Sequence, residues 1–189
     1  MAVQPQILLI LPKNQYCEGE LAGVLEALAE AGLSWVALSK SGREASGLAG
    51  GRFQPGGVIV DWDRQPGFAG KYEAVILIGG RGAKKFLWDD PIVPQILTDH
   101  HRAGKLIAAC GLAVAVLARA GFLAGEASGP DDDPAFLEEM ARAGAALSAE
   151  PVTRSGNIVT GRGASAAGDF GRCIVRGLTG LAGGCGQGV

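Results

Sequence analysis

The chain has 189 residues with 19 acidic and 17 basic side chains, a formal net charge of −2, and hydrophobic residues make up 48% of it. That apolar content excludes intrinsic disorder, and the absence of a basic excess argues against a nucleic-acid partner. No apolar run reaches the roughly 18 residues that would span a bilayer, so no membrane partner is expected.

The opening segment MAVQPQILLILPKN lacks a basic leader and carries only a short apolar run. It reads as a strand rather than a signal peptide, which points to the cytoplasm. Cys17, Cys110, Cys173 and Cys185 are not paired at metal-ligand spacing, so free thiols and no metal site are expected. His100 and His101 are the only histidines and adjoin Arg102, a solvated pair on a helix. Glycine stands at 31, which calls for many tight turns and close backbone approaches.

In chain order, Gln6 to Leu11 is a continuous apolar run and a buried strand. Glu18 to Ala31 is helical, with Gly32 as its C-cap. Ser34 to Ser39 is a second strand, and Gly47 to Val60 a hairpin or edge excursion. Ala74 to Ile78 is a third buried strand, closed by Gly79-Gly80. Pro91 to His101 is helical behind Asp89-Asp90. Lys105 to Cys110 is the next strand, and Ala113 to Ala120 the next helix, ended by Gly121. Asp131-Asp132-Asp133-Pro134 is a helix start, acids ahead of a first-turn proline, with the helix running from Ala135 to Ala143. These acids read as a helix-terminal charge run rather than a metal cluster. Asn157 to Thr160 is a last strand and Ser165 to Leu178 a last helix. Residues 180–189 form a glycine-rich, flexible tail.

Strands alternating with helices predict an α/β fold, a mostly parallel sheet with helices on both faces. Ligands of such sheets bind beyond the carboxyl ends of the strands. The segments of interest are therefore Pro12 to Glu20, Gly79 to Gly82, Cys110 to Ala113 and Gly161 to Gly163.

Glu20 shares a stripe with Val24 and Leu28 at i, i+4, i+8, which aims it inward at the first turn of its helix. An inward carboxyl is costly to ionise, so its pKa should rise unless a donor pairs with it. The plainer alternative is a helix cap or a surface rim. Gly79-Gly80-Arg81-Gly82 follows a strand and precedes a helix, where amides can hold an oxyanion. A simple tight turn is the competing reading, since GGRGAKK matches neither a dinucleotide nor a phosphate-loop fingerprint. Cys110 ends a strand directly before Gly111. A thiol on such a turn becomes a nucleophile, whereas a free cysteine within the strand is a small core residue. Cys17 lies in the loop leading to Glu20 and can share its pocket. Cys173 reads as core, and Cys185 as a tail residue without chemistry.

Four segments together resemble the ThiJ/PfpI superfamily, which is similar in fold to class I glutamine amidotransferases: ILLILPKN with the inward Glu20, AVILIGGRGAKKFLWDDPIV, HRAGKLIAACGLAVAVLARAGFL and SGNIVTGRGASAAGDFGRCIVRGL. The resemblance covers about residues 5–178. It implies a flavodoxin-like three-layer sandwich in a single domain over 1–179, a homodimer, a small-molecule ligand, and no cofactor. It further implies a cysteine at a strained strand-to-helix elbow, bonded to a protonated glutamate, with an oxyanion site of glycine amides. Glu20 matches that glutamate, and Gly80 the oxyanion glycine.

The family pattern Gly-Lys-Pro-Val-Ala-Ala-Ile-Cys-His-Gly-Pro-Ala-Val-Leu-Ala-x-Ala-Gly, laid on Gly104 to Gly121 without a gap, puts Cys110 on the isoleucine and Gly111 on the cysteine. Leu112 then replaces the histidine. A gapped alignment would place Cys110 on the elbow, but slipping a strand by one turns its side chains to the other face. The ungapped frame is favoured. It makes the chain a small-molecule-binding or stress-related protein without the elbow thiol. The gapped frame makes it a cysteine-dependent hydrolase or glyoxalase-type lyase using Cys110 with Glu20. A third reading gives the reactive thiol to Cys17.

Overall fold

Strands of Ile, Leu, Val and Ala with no polar face can be stable only where helices cover both sides. The computed structural model, which describes residues 6–63, 72–180 and Cys185, has that arrangement. Its elements are β1 (Ile7–Ile10), β2 (Asn14–Tyr16), α1 (Glu18–Glu30), β3 (Trp35–Ser39), β4 (Ala45–Gly47), β5 (Arg52–Phe53), β6 (Gly57–Val58), β7 (Ala74–Leu77), α2 (Gly82–Phe86), α3 (Val93–Arg102), β8 (Leu106–Cys110), α4 (Val114–Arg119), β9 (Gly125–Ala127), α5 (Pro134–Arg142), β10 (Ala145–Leu147), β11 (Val152–Ser155), β12 (Ile158–Gly161) and α6 (Ala167–Thr179).

Seven strands form one sheet in the order β11-β12-β8-β7-β1-β3-β6. Every pairing is parallel except that of the edge strand β11 with β12. The registers place Ile10 beside Leu77, Leu77 beside Ala109, and Cys110 beside Gly161, so the carboxyl ends of the central strands finish level. This is the expected flavodoxin-like α/β architecture.

Alternate residues of each strand face opposite layers. Leu8, Ile10, Val75, Leu77, Ile107 and Ala109 pack with α3, α4 and α5, and Ile7, Leu9, Ala74, Ile76, Ala108 and Cys110 pack with α1 and α6. A one-residue shift would exchange the two sets, which fixes the direction of the Cys110 side chain. Helices α1 and α6 touch through bare α-carbons: a Cβ on Gly171 would lie 2.6 Å from Ala27 Cβ, and one on Gly23 2.6 Å from Ala167 Cβ.

Two helix starts expected from the acids are present. Asp90 Oδ1 accepts the Ile92 and Val93 amides at 2.9 and 3.2 Å, and Asp133 accepts the Phe136 amide at 3.0 Å. The region from Gly47 to Val60 holds both expected alternatives, since β4 and β5 form a hairpin and β6 is an edge strand of the sheet.

Two expectations are corrected. His100 is fully buried rather than solvated. Its Nε2 accepts the Tyr72 amide at 3.1 Å, which leaves Nδ1 to donate to the Ile96 carbonyl at 2.7 Å. The free-thiol expectation fails for half of the cysteines: Cys173 and Cys185 form a disulfide, so Cys185 joins the tail to the core face of α6. The rest of the tail, 181–184 and 186–189, lies outside the described residues. Among the described residues no helix is long and apolar enough to cross a membrane, and no group of side chains is arranged to hold a metal ion.

Candidate functional site

A cavity of about 350 Å³ opens above the carboxyl ends of β7, β8 and β12. The start of α1 contributes Cys17 and Glu20, and the turn after β7 contributes Gly80 and Arg81. Gly111 and Leu112 come from the turn after β8, and Arg162 and Gly163 from the turn after β12. Pro130, Asp132 and Asp133 close one side ahead of α5, and Leu48 reaches in from the β4–β5 turn.

Glu20 is inward, as its stripe with Val24 and Leu28 requires, and is 3% exposed. Its Oε2 accepts the Gly79 amide at 2.7 Å. Burial pushes its pKa up from 4.5 to about 7; the Gly79 amide and the Cys17 thiol pull the other way and lose. Removing a carboxylate from water costs more than one amide and one thiol return. Glu20 is therefore poised to hold or release a proton near neutrality.

Gly79 and Gly80 have separate positions. Gly79 spends its amide on Glu20, whereas Gly80 lines the cavity. Gly80 has φ +100, and a Cβ there would sit 2.6 Å from the Cys17 nitrogen, so only glycine lets this turn lie against the start of α1.

Cys110 and Gly111 divide at the end of β8. Cys110 is fully buried, and its thiol donates to the Gly163 carbonyl at 3.7 Å from beneath the cavity. A Cβ on Gly161 would lie 3.0 Å from its sulfur and 2.9 Å from Phe170, so the thiol sits against the α6 layer. Burial pushes its pKa well up, helped by the negative charges that Glu20 and Cys17 can carry. Gly111 is the residue at the sharp bend, with φ +57, and a Cβ built on it would run into Glu20 Oε1. The carboxyl of Glu20 thus occupies the space that a side chain at position 111 would take. Trp88 donates to the Leu112 carbonyl at 2.8 Å and fixes this turn from behind.

Cys17 is half-buried at the N-cap of α1 and lines the cavity beside Glu20. Burial and the charge of Glu20 raise its pKa, while the Glu20 and Gly19 amides oppose them. The structure therefore brings Cys17, Glu20, Gly80 and Gly111 to one cavity and keeps Cys110 below it.

Sequence reasoning did not single out Leu48 or Pro130, and it reached Arg162 only as part of the 161–163 turn. Arg162 donates to the Ala149 carbonyl at 2.6 Å, and its Nε is buried with no acceptor among the described residues. The sequence marks Asp132 and Asp133 only as a helix start, and the fold also brings them to the cavity. For Asp133, the ion pair with Lys84 at 2.6 Å and the Phe136 amide outweigh partial dehydration and keep its pKa low. Leu48 could not be found from spacing, because it reaches the cavity through the hairpin.

A family model described as the DJ-1/PfpI family matches residues 5–177. The chain belongs to the DJ-1/PfpI family. Among curated relatives, the uncharacterized protein MJ0967 of Methanocaldococcus jannaschii is 25% identical over 173 residues, covering 92% of this chain and 82% of that one. Protein dj-1beta of Drosophila melanogaster is 30% identical over 112 residues, 58% of each chain. Of solved structures, a ThiJ/PfpI domain protein from Brachyspira murdochii superposes with a TM-score of 0.83 at 23% identity, covering 95% of this DJ-1/PfpI chain and 100% of its own. Drosophila DJ-1beta gives a TM-score of 0.77 at 23% identity, with 94% and 92% covered. At these identities the structural likeness is one of fold.

Proposed function

We propose that this DJ-1/PfpI chain is a small-molecule-binding protein whose cavity has no nucleophile at the strand-to-helix bend. The observation that carries the reading is Gly111: it has φ +57, and a side chain there would point straight at the Glu20 carboxyl. That is where a thiol paired with a protonated glutamate would stand, and hydrogen stands there instead. Cys110, one residue earlier, faces the α6 layer and is fully buried, and burial pushes its thiol pKa well up, which disfavours the thiolate. Cavity, neutralisable acid and glycine turns remain, and they suit recognition of a small polar molecule. A single domain over 1–179, a homodimer and a stress-related role complete the reading, on family resemblance.

The alternative is a cysteine-dependent hydrolase or glyoxalase-type lyase, supported by Glu20 and Gly80. It requires the Cys110 thiol to reach the cavity. Methylglyoxal consumption by wild type and Cys110→Ser separates the two: equal rates are expected, and loss of turnover in the variant would establish the enzyme. Binding is tested by titrating small polar fragments and following amide resonances. Shifts at Gly80, Leu112 and Gly163 are expected, and a cavity silent to every fragment overturns the proposal.

A further inference from the structure

Among the described residues two cysteines are free, Cys17 and Cys110, and Cys17 alone lines the cavity. Beside it stands Glu20, a carboxyl 3% exposed that opens on the same space, and Gly111 leaves that space unobstructed. Leu48, Leu112 and Pro130 give the cavity an apolar wall. Resting on the reading of the cavity as a small-molecule site, we propose that Cys17 is a covalent capture site for small uncharged α,β-unsaturated carbonyl compounds, with Glu20 as its proton acceptor.

The electrophile class follows from the surroundings of the sulfur. A half-buried thiol beside a carboxyl resists ionisation, so the favourable reaction is one in which the proton leaves as the sulfur bonds. Conjugate addition has that form and needs no leaving group or oxidant. The Cys17 sulfur bonds to the β-carbon, and the carbon–carbon π pair moves toward the α-carbon. The thiol proton passes to the Glu20 carboxylate and from there to the α-carbon. The product is a thioether with all atoms of both reactants. The amino end of α1, on which Cys17 is the cap residue, favours the negative charge that develops in transit. An uncharged carbon skeleton fits the apolar wall.

The test uses the full chain and N-ethylmaleimide, itself an uncharged conjugated carbonyl compound, with peptide mapping by mass spectrometry. Cys17 is expected to be modified in the native protein roughly tenfold or more faster than Cys110, whose thiol is fully buried and correspondingly inert. Both proteins share the rise with pH that thiol ionisation brings; wild type should add to it a step near pH 7, as Glu20 becomes able to take the proton, and Glu20→Gln should lack that step. The other titratable groups at the cavity are Arg81, Asp132, Asp133 and Arg162, with Cys110 beneath; both proteins share them, so the difference isolates Glu20. Comparable labelling of Cys17 and Cys110, or identical pH profiles, overturns the inference. The wild-type mapping needs no substitution and decides the first arm even if Glu20→Gln folds poorly. Fragments that bind while Cys17 resists maleimide overturn this inference alone. Labelling without fragment binding supports the capture site and overturns only the reversible-binding reading.

Discussion

The first turn of α1 carries two carboxyls on opposite faces, and they titrate in opposite directions. Glu18 faces outward, and its Oε1 accepts the Ala49 and Gly51 amides at 2.8 and 3.0 Å. Slight dehydration pushes its pKa up, but these backbone donors outweigh it and hold the carboxyl below its ordinary range. Glu20, two residues on and about 200° around the helix, meets one amide in a nearly dry setting, and its pKa goes up to about 7. Residue type, helix and helix end are shared. The number of donors and the access of water differ, and they alone decide which carboxyl stays charged.

Removing the ionisable oxygen from the dry side should have the largest effect. A carboxyl whose pKa is raised on folding binds more protons in the folded state, so its contribution to stability is complete below about 4.5 and is lost as pH rises through about 7. Wild type should therefore lose up to about 3 kcal/mol of unfolding free energy across that window. Denaturant titrations of Glu20→Gln should show a nearly flat profile over the same range. A parallel fall in both proteins would mean that the dry and wet faces do not differ as described.

Gly111→Ala should cost about 2 kcal/mol, because alanine resists positive φ and its methyl would displace the Glu20 carboxyl. The cost should shrink in a Glu20→Ala background, since the two residues compete for one space. Additive effects in the double variant would break that link. The smallest effect belongs to the wet face. In Glu18→Ala, hydrogen exchange at Ala49 and Gly51 should accelerate while the remaining amides are unchanged, and Glu18→Gln, which can still accept, should retain most of the protection. Because the Glu18 pKa is lowered, wild-type protection of that turn should persist at neutral pH and fade in acid.

Much of this contrast was legible in the chain. The stripe of Glu20, Val24 and Leu28 is enough to place a carboxyl inside, and alternating strands and helices point to the turns that build the cavity. The faces of β8 were not legible in the chain, because every residue from Leu106 to Cys110 is apolar; the fold sends Leu106, Ala108 and Cys110 to one layer and Ile107 and Ala109 to the other. His100 was missed although Val93, Ile96, Leu97 and His100 form one buried helical stripe; its polarity and the adjoining Arg102 obscured the period. Local pattern offered no sign of Glu18 gripping the 47–51 turn or of Leu48 at the cavity. Both depend on the hairpin folding back some thirty residues along the chain. The Cys173–Cys185 bridge was equally hidden, since spacing alone does not bring a tail thiol to a helix.

The meeting of α1 and α6 through Gly23 and Gly171 has a consequence at a distance. With backbone against backbone there is no slack between these rods, so any side chain added at the seam must lever α1 away from its neighbour. The same rod bears Glu20, and its hold on the Gly79 amide is a single short bond. A methyl group added to that seam, remote from the cavity, would thus retune the acidity of the cavity floor by tilting the beam on which it is mounted.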